Sequence, residues 1–345
     1  MKVFHERWVL MFGLVALLCS SGYAQQCKVT VVVKDFDTGT VLTNALVGLS
    51  VDTNIKPGWG WGAGKPNDYS GYTDTTGVCV LTGEGNGGTA TVYAKKEGYY
   101  VSSGYRVGIT NVTGIVGMRK WQPWNPTLNV VLKKMGKPIP LYAKRLREME
   151  IPLENEPVGF DLVAGDWMSP HGEGKNPDIV FQMDRKPERV EERVSPHRIV
   201  SVTLHDVTLT VHGSNDGDGF HLVPMVPIGN GPTSGLRMPR EAPLDDYEPT
   251  ITKRAYNSVA EPIHTDVRDD ANYFFRLRTE KDEDGKIVSA LYGKITGDFR
   301  FEPHVRKKLS FTYYINPTPN DRNLEFDPKK NLFKHLSLQE EVREP

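Results

Sequence analysis

Short runs of Val, Thr, Ile and Tyr, separated by glycine-containing turns, confine this chain to β architecture. In the first part of the chain the runs cover 27–34, 43–51, 77–82, 89–96, 98–107 and 127–133. Their apolar residues alternate or cluster, and none repeats with the period of an amphipathic helix of useful length. Between them, Asp37-Thr-Gly39, Thr76-Gly77 and Gly83-Glu-Gly-Asn-Gly-Gly88 offer the positive φ that tight turns require. Similar runs begin near residues 178, 198, 207, 273, 286 and 309, and Glu280-Lys-Asp-Glu-Asp-Gly285 between two of them signals a hairpin. The 33 Gly and 24 Pro of the 345 residues are many for a helical bundle and ordinary for turn-rich β structure. The expected fold is all-β, an N-terminal sandwich followed by a second antiparallel sandwich or jelly roll.

The length predicts two domains. Forty-two basic against 43 acidic residues leave a net charge of -1, so no electrostatic footprint for nucleic acid exists. At the N-terminus, Lys2 and Arg7 precede a short apolar run from Trp8 to Cys19, and small residues stand at Gly22 and Ala24. That pattern predicts a signal peptide spanning 1–24 and hence an exported chain, periplasmic, outer-surface or secreted, with no membrane span expected once the segment is removed. Lipoprotein processing at Cys19 is the alternative, disfavoured by the bulky Leu18 before it. Export leaves Cys27 and Cys79 in an oxidising compartment, where a disulfide between them is expected. Residues 136–156, with Pro138, Pro140 and a basic-to-acidic charge switch, are expected to link domain 27–135 to domain 157–333. Residues 334–345 are expected to be a short tail or helix.

Val29-Thr-Val-Val-Val-Lys-Asp-Phe-Asp-Thr-Gly39, Asn44-Ala-Leu-Val-Gly48, Thr73-Asp-Thr-Thr-Gly77 and Val92-Tyr-Ala-Lys-Lys-Glu-Gly98 follow one another in an order that resembles a carboxypeptidase regulatory-like domain. The resemblance covers residues 27–135 and implies an immunoglobulin-like or prealbumin-like sandwich used as an accessory module. The chain departs from the family in two insertions, Asn54 to Tyr72 and Ile109 to Asn125. The motifs are turn signatures, so carboxypeptidase chemistry is not implied with them.

Candidate sites rest on composition and local spacing. Trp59 and Trp61 in a glycine-flanked loop, with Trp121 and Trp124 in the second insertion, are costly to expose unless something covers them. They are expected either to form a contact surface for carbohydrate or a cell-envelope protein, or to pack as a satellite core under the insertions. Asp161, Asp166, His171 and Glu173 gather in one glycine-rich loop and are the candidate metal or acid-base residues, although no established ligand spacing is met. Gly83 to Gly88 matches a dinucleotide pattern literally but precedes a strand, so it is taken as a turn. Asn215-Asp-Gly-Asp218-Gly lacks the final glutamate of a calcium loop and is taken as a polar hairpin. Nucleophile-elbow, Walker and zincin motifs are missing from their required contexts, and no cofactor is implied. The expected function is non-catalytic binding, adhesion or envelope scaffolding, and the alternative is an extracytoplasmic hydrolase or metal-dependent enzyme in the second domain.

Overall fold

The computed structural model describes residues 25–53, 65–85, 87–103, 105–107, 110–113, 119–195, 198–225 and 233–345. Among them every regular element is a strand except a single 3-10 turn at Pro328–Lys330. Two compact units form: Met1–Lys134 with Gly229–Ser234, and Met135–Ile228 with Gly235–Pro345.

The strands of the first unit are β1 (Gln25–Asp35), β2 (Leu46–Val51), β3 (Asn67–Tyr72), β4 (Val78–Gly85), β5 (Ala90–Lys95), β6 (Ser102–Ser103), β7 (Tyr105–Val107), β8 (Thr110–Thr113), β9 (Arg119–Gln122) and β10 (Thr127–Leu132). A three-stranded sheet, β10-β1-β4, faces a four-stranded one, β3-β2-β5-β7. Strand alternation explains the pairing of faces: Cys27, Val29, Val31 and Val33 of β1 are all fully buried, as are Val47, Leu49 and Val51 of β2. Together with Leu81, Val92 and Val130 they make one sandwich core.

Residues that suggested the family resemblance shape turns here. The Asp35 carboxylate accepts the Asp37 and Thr38 amides, at 2.9 and 2.8 Å, and the Tyr99 hydroxyl at 2.9 Å. Asp74 likewise accepts the Thr76 and Val78 amides before Gly77, whose φ of 75° only glycine adopts freely. Gly83 and Gly85, taken from sequence as turn residues, lie inside β4 instead. A Cβ at Gly83 would stand 2.7 Å from the Tyr69 ring, and one at Gly85 would stand 2.5 Å from Val51.

The disulfide expectation is corrected by strand register. Cys27 lies opposite Gly83, whereas Cys79 lies opposite Val31, four positions further along β1. That offset is about 13 Å at the rise of a strand, and a disulfide needs Cα atoms within about 7 Å. Both thiols are free and buried, and burial pushes the Cys27 thiol up to about 11. A thiol titration without reductant should therefore find Cys27 and Cys79 unreactive in the native chain and both reactive in denaturant. Reductant should leave the melting temperature unchanged; a drop of several degrees would reinstate the bridge.

The second unit contains β11 (Tyr142–Glu150), β12 (Pro157–Asp161), β13 (Asp166–Trp167), β14 (Ile179–Arg185), β15 (Arg189–Ser195), β16 (Arg198–Leu204), β17 (Asp206–Gly213) and β18 (Gly219–Leu222). After β19 (Thr233–Ser234), which belongs to the first unit and pairs there with β6, the second unit continues with β20 (Thr250–Tyr256), β21 (His264–Thr265), β22 (Tyr273–Lys281), β23 (Ile287–Arg300) and β24 (Lys308–Ile315). A six-stranded sheet, β13-β12-β14-β17-β20-β21, packs on a five-stranded sheet, β11-β24-β23-β22-β18, around an aromatic core of Phe160, Phe181, Phe299 and Phe311. Both sheets are antiparallel throughout, as expected for a second sandwich. The loop at Asn215–Gly219 joins β17 to β18, strands of different sheets, so it is a crossing and no hairpin.

One boundary expectation changes and one is narrowed. Part of the expected 136–156 linker is β11, an edge strand paired with β24 from Tyr142↔Ile315 onward. Of the two readings of 334–345, a short tail or a helix, the structure has a tail with one turn at 338–340, fastened to that edge: Leu332 N donates to Leu141 O, and Arg145 N donates to Glu340 O. Asn331 fastens the start of the tail by bonding both the amide and the carbonyl of Ala143. Phe326 and Val342 are thereby buried against the outer face of the five-stranded sheet.

Candidate functional site

Of the candidate tryptophans, Trp121 and Trp124 are among the described residues, and they differ in exposure. Trp121 is 2% exposed in the core of the first sandwich, where its Nε1 donates to Gly85 O at 3.2 Å, so it is a packing residue and its assignment to a contact surface is corrected. Trp124 is 55% exposed. Trp59 and Trp61 lie outside the described residues.

The acidic loop of the second unit is built for architecture. Asp161 is 3% exposed, and its Oδ1 accepts the Val163 and Ala164 amides while Oδ2 accepts those of Lys175 and Asn176, all within 2.9 to 3.0 Å. Burial raises its carboxyl pKa, but these four amides outweigh burial and the net shift is downward. Asp166 accepts the Trp167 and Glu173 amides. Gly172 allows the chain to wrap this closely, since a Cβ there would sit 2.6 Å from Asp166 Oδ1. His171 and Glu173 point to solvent. Among the described residues no group of three His, Cys, Asp or Glu side chains could hold a metal ion, which corrects the expectation for Asp161, Asp166, His171 and Glu173. The oxygens of Asp161 and Asp166 accept main-chain amides, and Arg278 Nη2 also approaches Asp161 Oδ1 at 3.5 Å, so Asp161 has no lone pair aimed at a ligand.

Beneath this loop Asp178 is fully buried and pairs with Arg278, whose Nε and Nη2 approach its two oxygens at 2.6 and 3.0 Å. Burial raises the Asp178 pKa against the Arg278 hydrogen bonds and charge. Arg278 reaches inward because β22 carries a bulge there, with φ of 51° at Arg278 itself.

A second buried carboxylate arises the same way. Register in β23 slips between Thr296 and Arg300, and Gly297 takes φ of 84°. The bulge turns two consecutive residues, Asp298 and Phe299, into the interior at 2% and 0% exposure, which a regular strand forbids. Asp298 spans the sandwich and accepts Lys253 Nζ at 2.8 Å, the Arg268 amide at 2.8 Å, the Tyr273 hydroxyl at 3.0 Å and the Phe299 amide at 2.9 Å. Burial, reinforced by the Asp298 charge, raises the Tyr273 phenol.

On its solvent side the same bulge opens a cleft of about 540 Å³. Phe301, Val267, Ile263 and Val305 supply apolar surface, while Arg300, Asp269, Glu302, Glu148 and Lys308 supply charge. Arg300 Nη2 is held by Asp269 Oδ1 at 2.7 Å. Glu148 enters from a matching bulge in β11, where φ is 47° and its amide donates to Ser310 Oγ at 2.7 Å. None of these cleft residues stood out in the sequence. The usable signal was Gly297 inside a strand-like run, since an isolated glycine there marks a bulge and a redirected side chain.

Fold and cleft together define an all-β protein of two sandwiches with a solvent-facing cleft in the second. No protein-family model matches the chain. No curated protein matches it either. Among solved structures, BcpA, the major pilin subunit of Bacillus cereus, is similar over 84% of this chain and 95% of that chain, at 10% identity and a TM-score of 0.20. At that score the likeness carries no argument about function.

Proposed function

We propose that this chain is an exported, non-catalytic recognition protein of the cell envelope, serving in adhesion or scaffolding, whose second sandwich takes an apolar side chain of a protein partner into the cleft beside Arg300. The observation that carries the reading is an apolar floor ringed by charges of both signs, the arrangement that anchors a peptide side chain and orients its neighbours. A sugar ring calls for a flat exposed aromatic, and Phe301, at 7% exposed, offers little face. In this reading residues 1–24 are the signal peptide and the first sandwich is a carboxypeptidase regulatory-like accessory module. Trp124, with Trp59 and Trp61, remains a contact candidate on that module. The hydrolase alternative places its site on Asp161, Asp166 and His171, and the saturation of Asp161 by four amides weighs against Asp161 in that role.

A random peptide library panned on the immobilised chain tests this. Peptides with one apolar anchor should be enriched, and Val267→Arg should weaken them about tenfold or more while leaving the melting temperature within about 2 °C. Enriched peptides that bind the variant equally would remove the cleft from the account.

A further inference from the structure

The ladder between β14 and β17 does not end with the sandwich. Beyond Arg185↔Val207 it resumes as β15 and β16, seven residue pairs from Arg189↔Leu204 to Ser195↔Arg198 that form a sheet of two strands alone. At strand rise the ribbon is about 23 Å long. Its neighbours stop at its root: β12 follows β14 only to Gln182, and β20 follows β17 only to Tyr256 before the chain turns away at Ser258–Glu261. Asp206 clamps that root, accepting Lys186 Nζ at 2.7 Å and Arg254 through two nitrogens at 2.8 Å.

The two edges of the ribbon differ. On β15, Arg189, Glu191, Glu192 and Arg193 supply the charge that natural edge strands use against unwanted pairing. On β16 the run Ile199-Val-Ser-Val-Thr-Leu204 carries no charge, no proline and no bulge. One face of the ribbon also leaves Val190, Val194 and Ile199 exposed at 66%, 74% and 63%. Asn257 Nδ2 donates to Thr203 O at 2.8 Å, so the Thr203 carbonyl faces the outer edge. By strand alternation Ser201 and Ile199 turn their main-chain groups to the same side, and among the described residues no strand pairs with them there.

We propose that β16 is a self-association edge, pairing antiparallel with β16 of a second copy of this chain about a twofold axis at Ser201. Ser201 then exchanges both main-chain hydrogen bonds with its symmetry mate, Val200 stands opposite Val202 of the second copy, and Ile199 stands opposite Thr203. The parity of this register keeps Ile199 and Thr203 on one face, so the exposed apolar stripes of two ribbons join. What argues for a second copy is this self-complementarity, together with what remains after pairing. The product is a four-stranded sheet whose outer edges are two charged β15 strands, so association closes at a dimer. Three or more strands are also what an exposed ribbon needs for stability of its own.

Sedimentation equilibrium of the full chain over a concentration series tests the proposal, alongside Ser201→Pro and Ser201→Lys. Proline removes one outward N–H, a loss that edge strands tolerate, and lysine sets two like charges across the axis. The expected result is a concentration-dependent dimer that each variant weakens about tenfold or more, with melting of the isolated chain unaltered for Ser201→Lys. A chain that stays monomeric at about 100 µM overturns the proposal. So does a dimer that survives both substitutions, or an open polymer.

Discussion

Asp298→Ala should cost the second sandwich about 3 to 5 kcal/mol, the expected penalty for breaking a buried charge pair from one side. The substitution removes the shared acceptor of four donors, the Lys253 ammonium, the Tyr273 hydroxyl and the amides of Arg268 and Phe299, and leaves Lys253 only the Asp266 carbonyl at 3.2 Å. Lys253 is the expensive one, because its side chain is only 10% exposed and Asp298 is its carboxylate partner. Urea denaturation followed by fluorescence reads the loss. Adding Lys253→Met to Asp298→Ala should recover a large part of it, since an uncompensated charge is then no longer buried. Additive effects would mean that the pair is not coupled and that the bulge holds its shape without it.

The next largest effect is expected at Asp161. Asp161→Ala leaves the amides of Val163, Ala164, Lys175 and Asn176 without their acceptor and should destabilise the unit by about 3 kcal/mol, at roughly 1 kcal/mol per bond or less after partial rehydration. Asp161→Asn should cost less: one oxygen survives, but its NH₂ group faces main-chain donors. The structural reading further requires that neither variant alters peptide binding at the cleft. A variant that loses binding while retaining stability would return the loop to the list of functional sites.

The strand runs at 27–34, 178–183 and 309–315 were legible because their apolar residues alternate or cluster above a buried face, and the structure places strands at each. Several of the elements missed have a sequence that is polar for a reason visible only in pairing. β3 is an edge strand, reading Asn-Asp-Tyr-Ser-Gly-Tyr. β15 carries edge charges. β20 points Lys253 inward, where the alternation calls for an apolar residue, because Asp298 waits across the sandwich. β11 hides its buried Ala143 and Leu146 among charged neighbours. The cysteines show the same limit: compartment logic said that two thiols should join, and only register shows them four positions out of line. The acidic loop attracted attention by composition, yet its carboxylates are turn-makers. The cleft, by contrast, is produced by bulges at Glu148 and Gly297, which exist only relative to the partner strand β24.

The most direct measurement is amide hydrogen exchange of the chain with and without a peptide enriched by panning. Recognition at the cleft predicts added protection in residues 263–269 and 300–310 and none in the 161–176 loop. Protection centred on the 161–176 loop, with the cleft unchanged, would contradict the account and make that loop the working site of the molecule.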